Sequence, residues 1–159
     1  MIFSDCHFFI TSVVDTNSAV KLPSRMSDEP DDFYYLPTSV IALDKSIRFC
    51  GVVDRLGHII AYKYREGLTP LMTYEETLKN ALLSVIRHST RQSWESKMGR
   101  TLYSITRYER LTRASIRTED SHLLLVSFDA DVNAVDRLIQ EKILPLLHKQ
   151  RDYPRPAKA

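Results

Sequence analysis

The segment from Ile47 to Tyr64 constrains the fold more than any other part of the chain, because it has the pattern of two strands joined by a tight turn. Its first half alternates with a period close to two, which is typical of a strand with one face more buried than the other; the residues of that face are Ile47, Phe49, Gly51 and Val53. Asp54 favours the start of a turn, and Gly57 tolerates a positive φ near its end. The stretch 58–64 is rich in β-branched and aromatic residues, so we predict a return strand and a β-hairpin.

A long amphipathic helix is predicted after the hairpin. Thr73 and Glu76 have the spacing of a capping box, in which each side chain accepts a hydrogen bond from the backbone of the other. One apolar face then recurs at steps of three and four residues; it consists of Leu78, Ala81, Leu82, Val85 and Ile86. Trp94 and Met98 extend the pattern to Gly99, which is a plausible stop signal.

Strands and two further helices complete the predicted elements. Three strands at 101–108, 111–118 and 122–128 are joined by short turns, which indicates an antiparallel meander. A short helix at 38–46, capped by Thr38 or Ser39, is predicted before the hairpin. A final helix follows the meander, capped by Asp131 or Asn133 and interrupted at Pro145, because proline removes a backbone donor and clashes one turn back.

A chain of 159 residues with ordinary composition fits one domain. We predict a poorly ordered N-terminal extension and acidic linker at 1–35, a single α+β domain at 36–149, and a disordered proline-rich tail at 150–159. The acidic cluster at 28–32 lacks the pattern of a calcium loop and is interpreted as a solvated linker.

The order of elements is similar to that of roadblock/LC7 and other profilin-like domains. More closely, the hairpin and the later segment LLLVSFD resemble a family of short uncharacterised proteins of ammonia-oxidising archaea; the matching segments are Ile47 to Val52, Arg65 to Leu71, Tyr103 to Glu109, and Leu124 to Ser127. The resemblance covers residues 36–147. The similarity to roadblock/LC7 domains implies a single antiparallel five-stranded sheet with helices packed on it, in which the second hairpin strand is an edge and the last meander strand pairs with the first strand. The same similarity implies a homodimer.

The sequence contains no motif of a known catalytic, cofactor or metal site. Only 4 glycines are present, which leaves no phosphate-binding loop, and the 5 histidines are scattered without ligand spacing. Cys6 and Cys50 are far apart, and Cys50 is interpreted as a small core residue in a reducing, cytoplasmic protein. We therefore predict no enzyme activity, no cofactor and no metal.

Local charge is the strongest functional signal, because the segment 87–117 is rich in arginine and holds only two acidic residues. Arginine binds carboxylate or phosphate in a fork geometry. Three interpretations remain open: a solvated surface, a surface for an acidic protein partner, and a nucleic-acid surface on which Tyr103 and Tyr108 could stack on bases. The candidate partner-binding residues are Arg87, Arg91, Arg100, Arg107, Arg110, Arg113 and Arg117.

The leading functional hypothesis is a non-enzymatic, dimeric interaction or regulatory domain resembling roadblock/LC7 scaffolds. By fold analogy alone, its partner would be a small Ras-like GTPase. One alternative is a PAS- or profilin-like sensor that holds a small ligand between the sheet and the long helix; another is nucleic-acid binding through the arginines. The net charge of +2 gives no global signal for nucleic acid or membrane.

Overall fold

The computed structural model describes residues 32–118 and 120–149. A 3-10 turn at Asp32–Tyr34 leads into α1 (Leu36–Leu43), β1 (Ile47–Val53), β2 (Ile59–Tyr64), α2 (Tyr74–Gln92), α3 (Glu95–Met98), β3 (Tyr103–Arg107), β4 (Leu111–Arg117), β5 (Leu123–Asp129), α4 (Val135–Leu138), a π-helical turn (Ile139–Ile143) and α5 (Leu144–Lys149). The predicted tail at 150–159, and the predicted extension apart from 32–35, lie outside the described residues.

The five strands form one antiparallel sheet in the order β2-β1-β5-β4-β3. The predicted α+β class, the edge position of β2 and the pairing of β5 with β1 are therefore confirmed. Helices α1 and α4–α5 cover one face over the larger core cluster, whose fully buried members include Leu36, Phe128 and Ile139. Helix α2 lies on the other face over a smaller cluster built around Phe49 and Leu125.

The predicted face of β1 is wrong at one residue. The register against β5 shifts between Ile47 and Phe49, which is a bulge. Ile47 therefore joins Cys50 and Val52 in the larger core, while Phe49 and Val53 pack under α2. The prediction of Cys50 as a core residue is confirmed, because its side chain is fully buried.

Helix starts were predicted correctly only where a side chain caps the helix. The capping box of α2 is present: the Thr73 hydroxyl accepts from the Glu76 N–H at 3.2 Å, and the Glu76 carboxylate accepts from the Thr73 N–H at 2.8 Å. Helix α1 begins at Leu36 instead of being capped by Thr38 or Ser39, because Pro37 suits the first turn, where no N–H is needed. Helix α4 begins at Val135 without a side-chain cap, so capping by Asp131 or Asn133 was also wrong.

The predicted interruption at Pro145 takes the form of a change in helix type before the proline. The helix continues through Pro145, but the preceding turn, Ile139–Ile143, is π-helical. In a regular α-helix the proline ring would meet the carbonyl group of Glu141. The wider π-helical turn accommodates the ring, and Ile139 and Ile143 stay buried.

One carboxylate connects three strands at an end of the sheet. Asp129, at the end of β5, accepts from Arg48 of β1 at 2.8 Å and from Arg65, just after β2, at 2.7 Å. The hydrogen bond from Arg65, followed by that from Arg48, holds the pKa of Asp129 below its ordinary value. The two arginines and Asp129 therefore fix the β2-β1-β5 half of the sheet.

Within the described residues, no helix has both the length and the apolar character needed to cross a bilayer.

Candidate functional site

The sheet face under α2 is divided into an apolar half and a polar half. On β1 and β5 it carries Phe49, Val53 and Leu125, which are buried. On β4 the alternation of small apolar and polar residues, predicted from the sequence, turns Ala114 and Ile116 toward the larger core. Strand β3 pairs in register with β4, so one row of hydroxyl and guanidinium side chains from the two strands faces α2; its members are Ser104, Thr106, Arg113 and Ser115.

We call the narrow space between this polar half and α2 the arginine recess, defined by Arg87, Arg91 and Arg113. It is a small cavity of about 30 Å³, and among the described residues its lining also includes five hydroxyl side chains but no aspartate or glutamate; the hydroxyl residues are Ser84, Ser104, Thr106, Tyr108 and Ser115. Arg87 and Arg91 are brought together by their helical spacing of four residues. Three of the seven candidate arginines therefore lie at one place.

Arg113 is the most deeply placed of the three. Its guanidinium group has one hydrogen bond, a long 3.7 Å contact with the Met72 sulfur, and it makes no ion pair with the described residues. Burial, reinforced by the neighbouring positive charge of Arg87, lowers the pKa of Arg113. The side chain thus carries a charge in a place that does not favour one.

The other candidate arginines do not join this recess. Arg117 pairs with Glu95 at 3.2 Å. Arg107 donates to Thr112 and to the Val132 carbonyl oxygen, on the face covered by α4. Arg100 and Arg110 are exposed. The seven arginines therefore do not form one continuous surface.

Tyr103 and Tyr108 are also separated by the sheet. Tyr103 donates to Asp136 and accepts from Gln140, so its hydroxyl is engaged on the α4 side. Tyr108 is half exposed and lines the arginine recess. The pair does not form the stacking platform that a nucleic-acid surface would use.

A second, larger cleft lies between the sheet and the last turns of α2; we call it the His88 cleft. It has a volume of about 330 Å³ and is lined by residues of α2, by Arg117 and by His122. Two buried nitrogen atoms at this cleft have no hydrogen-bond partner among the described residues, the Nε of Arg117 and the Nδ1 of His122. Ser121, also in the lining, has a positive φ of 63°, which is uncommon outside glycine.

His88 contributes a titratable group to this cleft. Burial, followed by the charge of Arg117, lowers its pKa. Since the ordinary histidine pKa is about 6.5, the imidazole is neutral at pH 7 and can both donate and accept a hydrogen bond.

The outer face of α2 is apolar and uncovered. Helix α2 carries Leu78, Leu82 and Ile86 on one side with Ala81 and Val85, but only Ala81 is buried and Val85 is half-buried. Large aliphatic side chains along the helix are 36–52% exposed; they are Leu78, Leu82, Leu83 and Ile86. We call these four residues the outer face of α2.

The inner side of α2 explains this arrangement. Its buried residues are Thr77, Ala81 and Ser84, which are all small. The backbone of the helix lies close to the hairpin turn, where glycine leaves room for it: a Cβ atom placed on Gly57 would lie 2.8 Å from the Leu82 Cα.

Nucleophilic and metal chemistry find little support in the described residues. Cys50 is enclosed in the core, and burial raises the pKa of its thiol, which disfavours the reactive thiolate. No group of three or more metal-binding side chains converges in the part of the chain that the structure describes.

Comparison with known proteins identifies the fold. No family model matches the sequence, and no curated protein matches it significantly. A roadblock/LC7 domain from Streptomyces avermitilis superposes with a TM-score of 0.59 at 13% identity, covering 77% of this chain and 98% of that chain. Myxococcus xanthus MglB gives 0.60 at 13% identity, covering 84% and 100%, and MglB in a tetrameric arrangement gives 0.58 at 16%, covering 77% and 94%. The chain therefore has the roadblock/LC7 fold.

Proposed function

We propose that this domain of roadblock/LC7 fold is a non-enzymatic interaction domain that forms a homodimer through the outer face of α2 and the edge strand β3. The observation that carries the proposal is the row of four exposed aliphatic side chains on α2. Soluble proteins rarely leave contiguous apolar surface uncovered unless it binds a partner.

A second copy of the chain is the partner that best fits this surface. Among the described strands, β3 pairs with β4 alone, so its other edge offers backbone donors and acceptors near the helix. A two-fold axis would place the same helix and the same edge of two copies against each other, which is the self-complementary contact of most homodimers. The tetrameric arrangement described for one MglB structure supports self-association in a protein of this fold.

Sedimentation equilibrium of the wild-type protein tests the proposal. We expect a dimer at tens of micromolar, because the four side chains are 36–52% exposed and burying the rest of each contributes roughly 0.5–1.5 kcal/mol before the cost of association. A monomer at that concentration would contradict homodimer formation.

A scaffolding or regulatory role toward a small Ras-like GTPase is the finer part of the proposal, and it depends on fold analogy alone. Affinity capture from cells of the source organism, with the nucleotide-loaded state varied, tests it. Recovery of no GTPase in either state would count against this role and would leave the dimer untouched.

The His88 cleft favours a second candidate function, a sensor of a small polar ligand. Its volume of about 330 Å³ falls at the lower end of small-molecule sites, and its position between the sheet and α2 is where the sensor hypothesis places a ligand. The two unpartnered nitrogen atoms of Arg117 and His122 would suit a ligand that brings hydrogen-bond acceptors.

Thermal unfolding in the presence of small carboxylic acids tests the sensor candidate. A ligand at 100 times its Kd should stabilise the protein by about 2.7 kcal/mol. Ser89→Trp, which fills the cleft from α2, should abolish the shift. If no acid raises the Tm of the wild type, the cleft does not hold this class of ligand.

A further inference from the structure

We propose that the arginine recess is a binding site for a tetrahedral oxyanion, the phosphate group of a small ligand, held by Arg87, Arg91 and Arg113. The recess adjoins the proposed dimer interface, since Ser104 and Thr106 belong to β3, but no residue of the outer face of α2 is in its lining.

Among the described residues, the half-buried arginines outside the recess are each paired with a carboxylate. Arg48 and Arg65 share Asp129, and Arg117 pairs with Glu95, each within 3.2 Å. Arg113 is also half-buried, but among the described residues its guanidinium group has only the sulfur of Met72 as a partner. Removing a guanidinium group from water without a counter-charge is costly, so the position of Arg113 is explained by an anion that occupies the recess.

The described lining of the recess is positively charged. Three guanidinium groups bring like charges together, and the lining residues include no carboxylate that could offset the repulsion. Some of their donors are already engaged: Arg87 donates to the Ser84 hydroxyl at 2.8 Å, and Arg91 donates to the Arg87 carbonyl oxygen at 3.1 Å. These contacts fix the two helix side chains and leave further N–H groups free to bind an oxyanion.

The hydrogen-bond donors of the recess are of the kinds that bind phosphate. Guanidinium groups bind phosphate through two parallel N–H bonds, and hydroxyl groups add single donors around them. The hydroxyl groups of Ser104, Thr106 and Ser115 lie on the sheet side, opposite Arg87 and Arg91 on the helix. Donors from both sides suit a tetrahedral anion better than a planar carboxylate, which presents two oxygens in one plane.

The size of the recess limits the ligand. A cavity of about 30 Å³ is about the share of one water molecule in the liquid, so one oxygen of a phosphate group would enter and the rest of the group would lie at the mouth of the recess. A phosphoryl group with its ester chain pointing outward fits this limit better than a ring or a base. Free inorganic phosphate and a phosphate monoester share this chemistry, and the experiment below separates them.

The test compares thermal unfolding in inorganic phosphate, glycerol 3-phosphate, acetate and sodium chloride at matched ionic strength. Saturating phosphate or monoester should raise the Tm of the wild type by about 5 °C over chloride. A larger shift with the monoester identifies an esterified ligand, and an equal or larger shift with inorganic phosphate identifies the free ion. Equal shifts in phosphate and acetate would overturn the tetrahedral class.

Arg113→Met is the decisive variant, because it should stabilise the protein in chloride and abolish the further stabilisation by phosphate. In chloride it should raise the Tm by about 2–4 °C, since an unpaired enclosed charge is replaced by an apolar side chain. In phosphate it should show no further rise. Arg110→Met, at an exposed position outside the recess, should behave as the wild type in both media.

Arg87→Met is the second variant, because Arg87 is exposed and its replacement should leave folding intact. It should lower phosphate affinity at least about tenfold through loss of a charge-assisted contact. A phosphate shift that survives both Arg113→Met and Arg87→Met but disappears with Ser89→Trp would overturn the proposal and assign the anion to the His88 cleft. Absence of any phosphate effect on the wild type would overturn it as well.

Discussion

Gly57→Ala is expected to lower the free energy of unfolding by about 3 kcal/mol or more. Two costs combine at this position. Gly57 has a φ of 91°, a conformation that L side chains rarely adopt, and its added Cβ would lie 2.8 Å from the Leu82 Cα. Because the nearest atom belongs to the backbone of α2, the strain cannot be relieved by a rotamer change. Urea denaturation measures the loss.

Gly67→Ala is the matched control. Gly67 also has a positive φ, 70°, but a Cβ there would meet nothing within 4 Å. This variant should cost only the conformational term, about 1 kcal/mol. Adding Leu82→Ala to Gly57→Ala should not restore stability, since the Leu82 Cα remains in place. Equal losses for the two glycine variants would show that the hairpin does not contact α2 closely.

The double substitution Leu83→Glu with Ile86→Glu is expected to weaken the homodimer at least about 100-fold. Both side chains belong to the outer face of α2, at 41% and 52% exposure. In a dimer each glutamate would be taken from water into an apolar contact beside the same residue of the second copy, so both desolvation and like-charge repulsion oppose association. Sedimentation equilibrium gives the Kd, and circular dichroism checks that the fold is retained.

Tyr34→Glu is the control for this variant. Tyr34 is a large side chain at 59% exposure, and it precedes α1 on the opposite face of the sheet. The same change to glutamate there should leave the Kd unchanged. If the double variant and the control dimerise equally well, the outer face of α2 is not the interface.

The elements that could be predicted from the sequence are those that depend on neighbours along the chain. The capping box of α2 needs only Thr73 and Glu76, and the alternation along β4 alone separates Arg113 from Ala114. The roadblock/LC7-like arrangement followed from the order of such elements. Predictions of this kind succeed because the hydrogen bonds and side-chain directions involved are local.

The missed features depend on residues far apart in the chain. The bulge that moves Ile47 to the other face exists because β1 pairs with β5, a strand near the end of the described chain. Apolar periodicity on α2 indicated a buried face but not which partner buries it, since a core and an interface select the same side chains. The charge of segment 87–117 was visible in the sequence, but the convergence of only Arg87, Arg91 and Arg113 required the packing of α2 over β3 and β4.

The small residues beneath α2 have a consequence for the cooperativity of the fold. Thr77, Ala81 and Ser84 bury little apolar area, so in a single copy α2 should open more readily than β1 and β5. If a second copy covers the outer face, association also stabilises α2 in its closed position against the sheet. Amide hydrogen exchange in α2 should therefore slow as protein concentration rises, while exchange in the central strands should not change. The exchange protection of the α2 amides would then measure the fraction of the protein that is dimeric.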